Sequence, residues 1–187
     1  MVQNTKYHEE RFRKSFKKFY SLEPSYGLFD TIDLSKSSKK GREKLRISYN
    51  MSGSKYSLEP YEKKSIQRLK IVIDDSIDYD LKFENRANLN MLFQQKMDCD
   101  DILIVKNGMV TDTSYANIVL LDGANWYTSK SYLLNGTKKS QLLESGAIRE
   151  CGPIKFKDLE KFKGFQLINA MLDFKPESFL PIKNIIS

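Results

Sequence analysis

The fold is decided by residues 102–128, ILIVKNGMVTDTSYANIVLLDGANWYT, in which short apolar runs alternate with turn signals. Residues 102–105 and 118–121 have the length and the β-branched content of buried strands. Asn107-Gly108 and Asp122-Gly123 are typical of tight hairpin turns, and the second turn leads into a further strand. The stretch therefore predicts a meander of hairpins in the second half of the chain.

The elements on either side of this meander mix helices and strands. Phe12, Phe16 and Phe19 recur at near-helical spacing and predict a first helix that Asn4 and Thr5 can cap. The other predicted elements are strands at 45–50, 56–61, 69–73 and 166–168, and helices at 84–97, 137–145 and 157–162. Because strands and helices do not alternate regularly, the α+β class follows.

The composition indicates a soluble, unexported protein. Of its 187 residues 40% are hydrophobic, which is enough for a real core, and no apolar run approaches the roughly 20 residues of a membrane span. Two cysteines and one histidine give no metal-ligand spacing, so we expect no metal site and a reducing cytoplasm. The polar residues 63–67 are a candidate seam between two domains, residues 1–65 and 66–187.

The formal net charge of +7 raises the question of a nucleic-acid partner. The aromatic residues near the basic clusters fall at helical spacing rather than in a stacking platform, which speaks against a nucleic-acid-binding module. Solvated surface explains most of the charge, and an anionic small molecule would also favour such a field.

Three local features stand out on the residues alone. Asn135-Gly136-Thr137 precedes a predicted helix whose first N–H groups suit a phosphate, although most such junctions are simple turns. Asp112-Thr113-Ser114, followed by Asn117, places a carboxylate and two hydroxyls on a loop, which turn chemistry also explains. Lys82 lies beside Asn85-Arg86 just before a helix, where most lysines of so basic a chain are solvated surface.

Taken in order, these features resemble those of one known family. The segments concerned are His8-Glu9-Glu10-Arg11-Phe12, Lys82-Phe83-Glu84-Asn85-Arg86, residues 108–118, Trp126-Tyr127-Thr128, Leu133-Leu134-Asn135-Gly136-Thr137-Lys138-Lys139 and Leu167-Ile168-Asn169-Ala170-Met171. They are similar to the motifs of the class IV aminotransferases, and within that family the Lys-x-x-Asn-Arg segment looks like that of the aminodeoxychorismate lyases. The resemblance spans residues 7–183, and residues 82–139 are its most specific part.

The resemblance implies a fold type IV enzyme that uses pyridoxal 5'-phosphate, with a small N-terminal α/β domain, a larger domain with a β-barrel-like core, an active site between them and a homodimeric assembly. Lys82 matches the lysine that holds the cofactor and moves protons. Asp112 matches the carboxylate beside the ring nitrogen, where the family usually has glutamate. The implied cofactor contacts are Arg11, Lys82, Asp112, Ser114, Asn117, Gly136, Thr137 and Lys138. Arg46, Lys55 and Asn169 are candidates for contacts with the substrate. For Arg11, an exposed position on a basic helix is an equal alternative.

The resemblance leaves the reaction open. Asn85-Arg86 favours elimination of pyruvate from 4-amino-4-deoxychorismate to give 4-aminobenzoate, and the substrate's carboxylates suit the basic charge balance. The alternatives are a branched-chain or D-amino-acid transaminase and a cofactor-binding relative without turnover. The chain also begins almost at the His-x-x-Arg helix, where family members carry one or two more strands, so it is either a compact branch or incomplete at its start.

Overall fold

The computed structural model describes residues 2–38 and 41–187, and the chain divides into two compact units, Met1–Lys64 and Ser65–Ser187. The first unit contains helix α1 (Thr5–Tyr20) and the antiparallel hairpin of strands β1 (Glu43–Asn50) and β2 (Gly53–Pro60). Phe12 of α1 is buried, and its ring centroid lies 4.7 Å from that of Tyr49 on β1. The aromatic face of the helix therefore forms the core of this unit with the hairpin.

One detail of the predicted apolar stripe on α1 is wrong. Phe12 and Phe16 are buried as expected, but Phe19 is 57% exposed. Phe19 lies in the last turn of the helix, where its ring contacts that of Tyr20 instead of the core. Helical spacing predicts the direction of a side chain but not how far along the helix the packing partner extends.

The second unit is built on one nine-stranded mixed sheet. Its strands are β3 (Leu69–Ile73), β4 (Asp101–Lys106), β5 (Met109–Thr113), β6 (Asn117–Leu121), β7 (Trp126–Ser129), β8 (Arg149–Cys151), β9 (Gly164–Ile168), β10 (Leu180–Pro181) and β11 (Ile185–Ile186). Their order is β10-β9-β6-β5-β4-β3-β11, with β7 paired to β6 and β8 to β7. The pairs β3–β4, β3–β11 and β7–β8 are parallel and the others antiparallel.

Two helices, α2 (Ala87–Phe93) and α3 (Thr137–Glu144), pack on this sheet. Leu120 of β6 belongs to a core cluster that residues of β3, β4, β5 and β9 share. Its neighbours Val119 and Leu121 point the other way and pack with Leu142 of α3. Because strand side chains alternate between faces, Asn117 at the start of β6 lies on the α3 side of the sheet.

The hairpin turn at Asn107-Gly108 is confirmed, since both residues have positive φ, 51° and 74°, between the antiparallel strands β4 and β5. The helix predicted at 84–97 is shorter: it begins at Ala87, whose N–H is capped by Asn85 Oδ1, and a 3-10 turn follows it. Met97 is accordingly 71% exposed and leaves the predicted apolar stripe. Strands β5, β8, β10 and β11 were not predicted.

Candidate active site

Asp112 and Asn117 face each other across the turn that joins β5 to β6. The turn is closed by a hydrogen bond from the Thr113 N–H to the Ala116 carbonyl, 2.9 Å long. The Thr113 hydroxyl lies 3.1 Å from both the Ala116 nitrogen and its carbonyl oxygen and holds the turn a second time. Asn117 Nδ2 donates to Asp112 Oδ1 over 2.7 Å. The predicted carboxylate and amide are thus brought into direct contact.

The Asp112 carboxylate is buried in a cage of hydrogen-bond donors. Its Oδ2 accepts from the N–H groups of Leu133 and Leu134 at 3.0 and 2.9 Å. Burial raises the pKa of Asp112 to about 6, and these donors, Asn117 and the charge of Lys139 oppose the rise. Since a carboxylate has about four acceptor positions and three are used, one position is left for a further donor.

Gly136 lies at the junction between this cage and helix α3. Asn117 Nδ2 also donates to the Leu134 carbonyl at 2.9 Å, which holds the segment before the helix. A Cβ on Gly136 would stand 1.9 Å from Asn117 Oδ1, although its φ of −70° is open to any residue. Close approach, rather than backbone conformation, therefore requires glycine here.

The N-terminus of α3 suits an anion. No side chain caps the helix at Gly136, and the first helical hydrogen bond runs from the Ser140 N–H to the Gly136 carbonyl. The N–H groups of Thr137 and Lys138 precede that bond and lie at the positive end of the helix dipole. The Lys138 side chain turns along the helix to Gln141 Oε1, at 2.9 Å, so its backbone is the part suited to a phosphate.

Replacing Gly136 by alanine should displace Asn117 and loosen the cage around Asp112. A separation of 1.9 Å cannot be absorbed without moving the Asn117 amide, so both of its hydrogen bonds are strained. We expect a loss of about 1–3 kcal/mol in the free energy of unfolding and weaker phosphate binding. Urea denaturation measures the free energy of unfolding, and a phosphate titration measures the affinity for phosphate.

Gly152→Ala is the matched control for this substitution, because an added Cβ there meets no atom within 4 Å. An unchanged Gly136→Ala protein would contradict the packing argument.

The segment that carries Lys82 is tied to the same turn. Lys82 is exposed and lies in irregular chain between β3 and α2. Arg86, four residues on, donates from Nη2 to the Ser114 carbonyl inside the turn between Asp112 and Asn117. Asn169 Nδ2 reaches the next carbonyl, that of Tyr115, over 3.4 Å. Side chains from two predicted motifs thus converge on one turn, and Ser114 contributes its carbonyl to it.

A buried carboxylate that the sequence did not indicate lies beside this turn. Asp101, at the start of β4, has no exposed surface, and its carboxylate lies near the Ser114 side chain and the Ile102 backbone N–H. Burial raises the pKa of Asp101, while the nearby Ser114 hydroxyl opposes the rise. Asp101 directly precedes the predicted strand 102–105, and nothing in the local sequence distinguishes it from a solvated aspartate.

Lys139 is the second buried charge that sequence reasoning missed. Its side chain has no exposed surface, and its Nζ lies 3.2 Å from Glu150 Oε2 and 3.4 Å from the centroid of the Tyr132 ring. Burial lowers the pKa of Lys139, and Glu150 opposes that change. The residue stands at the end of the quoted Gly136-Thr137-Lys138-Lys139 motif, but one lysine among many gives no signal of burial.

A cavity of about 340 Å³ opens beside the chain that leads to Lys82. Its lining includes Tyr79 and Asp80, as well as Thr111 and Leu133, which are neighbours of Asp112 and its cage. The volume is in the range of small-molecule sites.

The remaining predicted residues belong to the first unit. Arg11 is half-buried on α1, and its charge opposes the rise that burial causes in the pKa of Tyr49. Arg46 and Lys55 are exposed on the paired strands β1 and β2, where Arg46 lies opposite Ser57 and Lys55 opposite Ser48. Alternation of side chains along both strands places the two basic residues on the same face of the hairpin.

No helix in the described part of the chain is both long and apolar enough to cross a membrane.

Comparison with known proteins identifies the family. The sequence profile described as amino-transferase class IV matches residues 1–185. The chain belongs to the class IV aminotransferase family. This class IV aminotransferase is 36% identical over 172 residues, 91% of each chain, to an uncharacterized protein of Haemophilus influenzae. The family and the α+β, fold type IV architecture expected from the sequence are thereby confirmed.

Two solved structures extend the comparison. A protein of Haemophilus somnus 129PT, provisionally assigned as a 4-amino-4-deoxychorismate lyase, is 35% identical, with a TM-score of 0.82 over 92% of this chain and 91% of that one. The PLP-bound form of a hypothetical aminotransferase from Mycobacterium tuberculosis has a TM-score of 0.67 at 16% identity, over 89% of this chain and 72% of that one. The Mycobacterium likeness shows the fold alone, whereas the family match and the Haemophilus somnus neighbour show the predicted enzyme class, a pyridoxal-phosphate enzyme.

Proposed function

We propose that this class IV aminotransferase is a 4-amino-4-deoxychorismate lyase, which eliminates pyruvate and leaves 4-aminobenzoate, a folate precursor. The observation that carries the proposal is the similarity over 91% or more of both chains to the Haemophilus somnus protein, which bears that provisional assignment. The Lys82 segment supports it, because Asn85 accepts a hydrogen bond from the Ala87 N–H at the start of α2 and Arg86 binds the Ser114 carbonyl, so that both residues of the lyase-like Asn-Arg pair have a structural role.

The described residues fit pyridoxal phosphate at both of its ends. The Asp112 carboxylate is buried and has one acceptor position left, which suits a protonated ring nitrogen. The first turn of α3 follows a glycine with no side-chain cap and suits the phosphate. When bound, the cofactor supplies an aldehyde that condenses with amines and a ring that stabilises negative charge on the adjacent carbon.

Each candidate site residue is then assigned a role. The Lys82 amine would hold the cofactor and would take the proton from the substrate carbon that bears the amino group. The N–H groups of Thr137 and Lys138 and the Arg11 guanidinium bind phosphate oxygens. Asn117 and Gly136 fix the position of Asp112 relative to α3, and the Ser114 carbonyl anchors the Lys82 segment through Arg86.

Substrate binding falls to basic and amide groups. The substrate carries two carboxylates, and we assign Arg46, Lys55 and Asn169 to them. Arg46 and Lys55 share one exposed face of the β1–β2 hairpin, which suits two negative charges. Asn169 already contacts the Asp112–Asn117 turn through the Tyr115 carbonyl.

The proposal includes the setting of the enzyme. Residues 1–65 act as the small domain and residues 66–187 as the larger domain with the cofactor lysine. The protein acts as a homodimer in the cytoplasm, on a small anionic amine, without a nucleic-acid or membrane partner.

Pyruvate release without a keto acid tests the reaction. Purified protein is loaded with pyridoxal phosphate, given 4-amino-4-deoxychorismate alone, and assayed for pyruvate with lactate dehydrogenase. We expect many turnovers per enzyme. Pyruvate formed in no more than one equivalent, together with turnover of a branched-chain or D-amino acid when 2-oxoglutarate is added, would show a transaminase. Retained cofactor with neither activity would show a binding relative.

A further inference from the structure

Lys139 is a fully buried ammonium group on α3, the helix whose first turn belongs to the candidate active site. Lysine is almost never fully buried unless it is paired, because desolvation disfavours its charge. Its partners come from two other parts of the unit: Glu150 on β8, at 3.2 Å, and the face of the Tyr132 ring, at 3.4 Å. Both contacts favour the charged form of the lysine.

The same contacts connect Lys139 to Asp112. Tyr132 directly precedes Leu133 and Leu134, whose N–H groups bind the Asp112 carboxylate. Lys139 itself lies on α3, three residues after the glycine that packs against Asn117. It therefore holds the loop and the helix that together enclose Asp112.

Three charged groups interact here: Glu150, Lys139 and Asp112. Among the described residues, Lys139 is the charged group that opposes the effect of burial on Asp112, while Glu150 and Asp112 both favour the charged form of Lys139. Two carboxylates and one ammonium leave one negative charge. A protonated ring nitrogen placed at Asp112 would neutralise it, which is the balance a buried site requires.

We propose that Lys139 is a positioning residue: it supplies the buried positive charge that keeps Asp112 anionic and fixes residues 132–134 around it. The inference rests on the proposed function only in that Asp112 pairs with the ring nitrogen. A lysine that merely fills space and pairs with Glu150 would affect stability and leave the ionisation of Asp112 unchanged, so the two roles can be separated.

A carboxyl titration of the apoprotein tests this role. Protein labelled with ¹³C in the aspartate side chains is followed by NMR from pH 4 to 9, and Asp112→Asn assigns the Asp112 signal. We expect Lys139→Met to raise the pKa of Asp112 further, because it removes a positive charge that opposes the effect of burial. Lys139→Arg keeps the charge and should move it by less than half of that. Lys161→Met, which removes an exposed lysine paired with Asp158, is the control: it should shift the Asp158 signal and leave the titration of Asp112 unchanged.

A second substitution covers the case in which Lys139→Met does not fold. Glu150 is one-third exposed, so Glu150→Gln is expected to fold, and it removes the negative charge on the far side of Lys139. The pKa of Asp112 should then fall. An unchanged Asp112 titration in both Lys139→Met and Glu150→Gln, or in Glu150→Gln alone if the first is unfolded, would overturn the proposal. Because no cofactor is present, that failure would leave the lyase assignment intact, which the pyruvate assay tests separately.

Discussion

Lys82→Ala should abolish covalent retention of pyridoxal phosphate and lower the rate of pyruvate release by about 10²–10⁴-fold or more, because one amine both attaches the cofactor and moves the proton. The measurement is the near-ultraviolet and visible spectrum of protein that has been incubated with cofactor and then gel-filtered. The wild type should keep the absorption band of lysine-bound cofactor, and the variant should lose it.

Lys157→Ala is the control for this change, because Lys157 is another exposed lysine of the same unit. If the band survives in Lys82→Ala, the cofactor is attached to a different lysine, and the match of the Lys82 segment to the family motif is wrong. A wild-type protein that keeps no band would remove the cofactor from the proposal altogether. Noncovalent retention by Lys82→Ala, seen as the spectrum of the free aldehyde, is compatible with the proposal, since Asp112 and α3 remain.

Much of the fold follows from local signals. The strand Leu69–Ile73 is apolar except for Lys70, and Asn107-Gly108 is a turn that few other dipeptides form as readily. By contrast, β5 was missed because Thr111, Asp112 and Thr113 interrupt its apolar pattern. Those three residues are buried all the same, since each has a hydrogen-bond partner in the fold. Because β5 carries polar site residues, the pattern of apolar and polar residues does not identify it as a strand.

The site was predictable where chemistry and order along the chain coincide. Asp112, Asn117 and Gly136 were found because their motifs occur in the order of a known family, and the structure brings these three residues into contact. The cage around Asp112 joins it to residues 21 and 22 positions later in the chain, and no local pattern indicates such a pairing. Lys139 and Asp101 escaped for the same reason: their burial is a tertiary property.

Asp112→Asn should change how the stability of the apoprotein depends on pH. Burial raises the pKa of Asp112 from 3.8 to about 6, so the folded state binds this proton more tightly than the unfolded state does. The contribution of this carboxyl is therefore fully present below pH 4 and is lost as the pH rises through about 6. At about 1.4 kcal/mol per pH unit, the loss amounts to about 3 kcal/mol at pH 7.

The variant does not titrate, so its free energy of unfolding should stay level where that of the wild type falls. An asparagine oxygen can still accept from Leu133 and Leu134, but its amide would face the Asn117 amide, which loses one hydrogen bond of about 1 kcal/mol. At pH 7 the charge effect of about 3 kcal/mol exceeds the lost hydrogen bond of about 1 kcal/mol, so the variant gains stability. At pH 7 the variant apoprotein should be about 2 kcal/mol more stable than the wild type, and at pH 4 slightly less stable.

Urea denaturation at intervals from pH 4 to 8 measures this difference, and Asp122→Asn is the control. Asp122 is an exposed carboxyl whose pKa is lowered by the N–H groups of Asn125 and Ala124, so its contribution is lost only at lower pH. Parallel curves for wild type and Asp112→Asn would refute the assignment of the titration to Asp112.

The same substitution should weaken binding of pyridoxal phosphate, because an amide cannot keep a ring nitrogen protonated as a carboxylate does. If Asp112→Asn makes the apoprotein more stable and also weakens its affinity for the cofactor, the buried charge of Asp112 is destabilising by itself. It is then retained for the ligand with which it pairs. The wild type should then gain more stability from the cofactor than the variant does, which denaturation at a fixed cofactor concentration would measure directly.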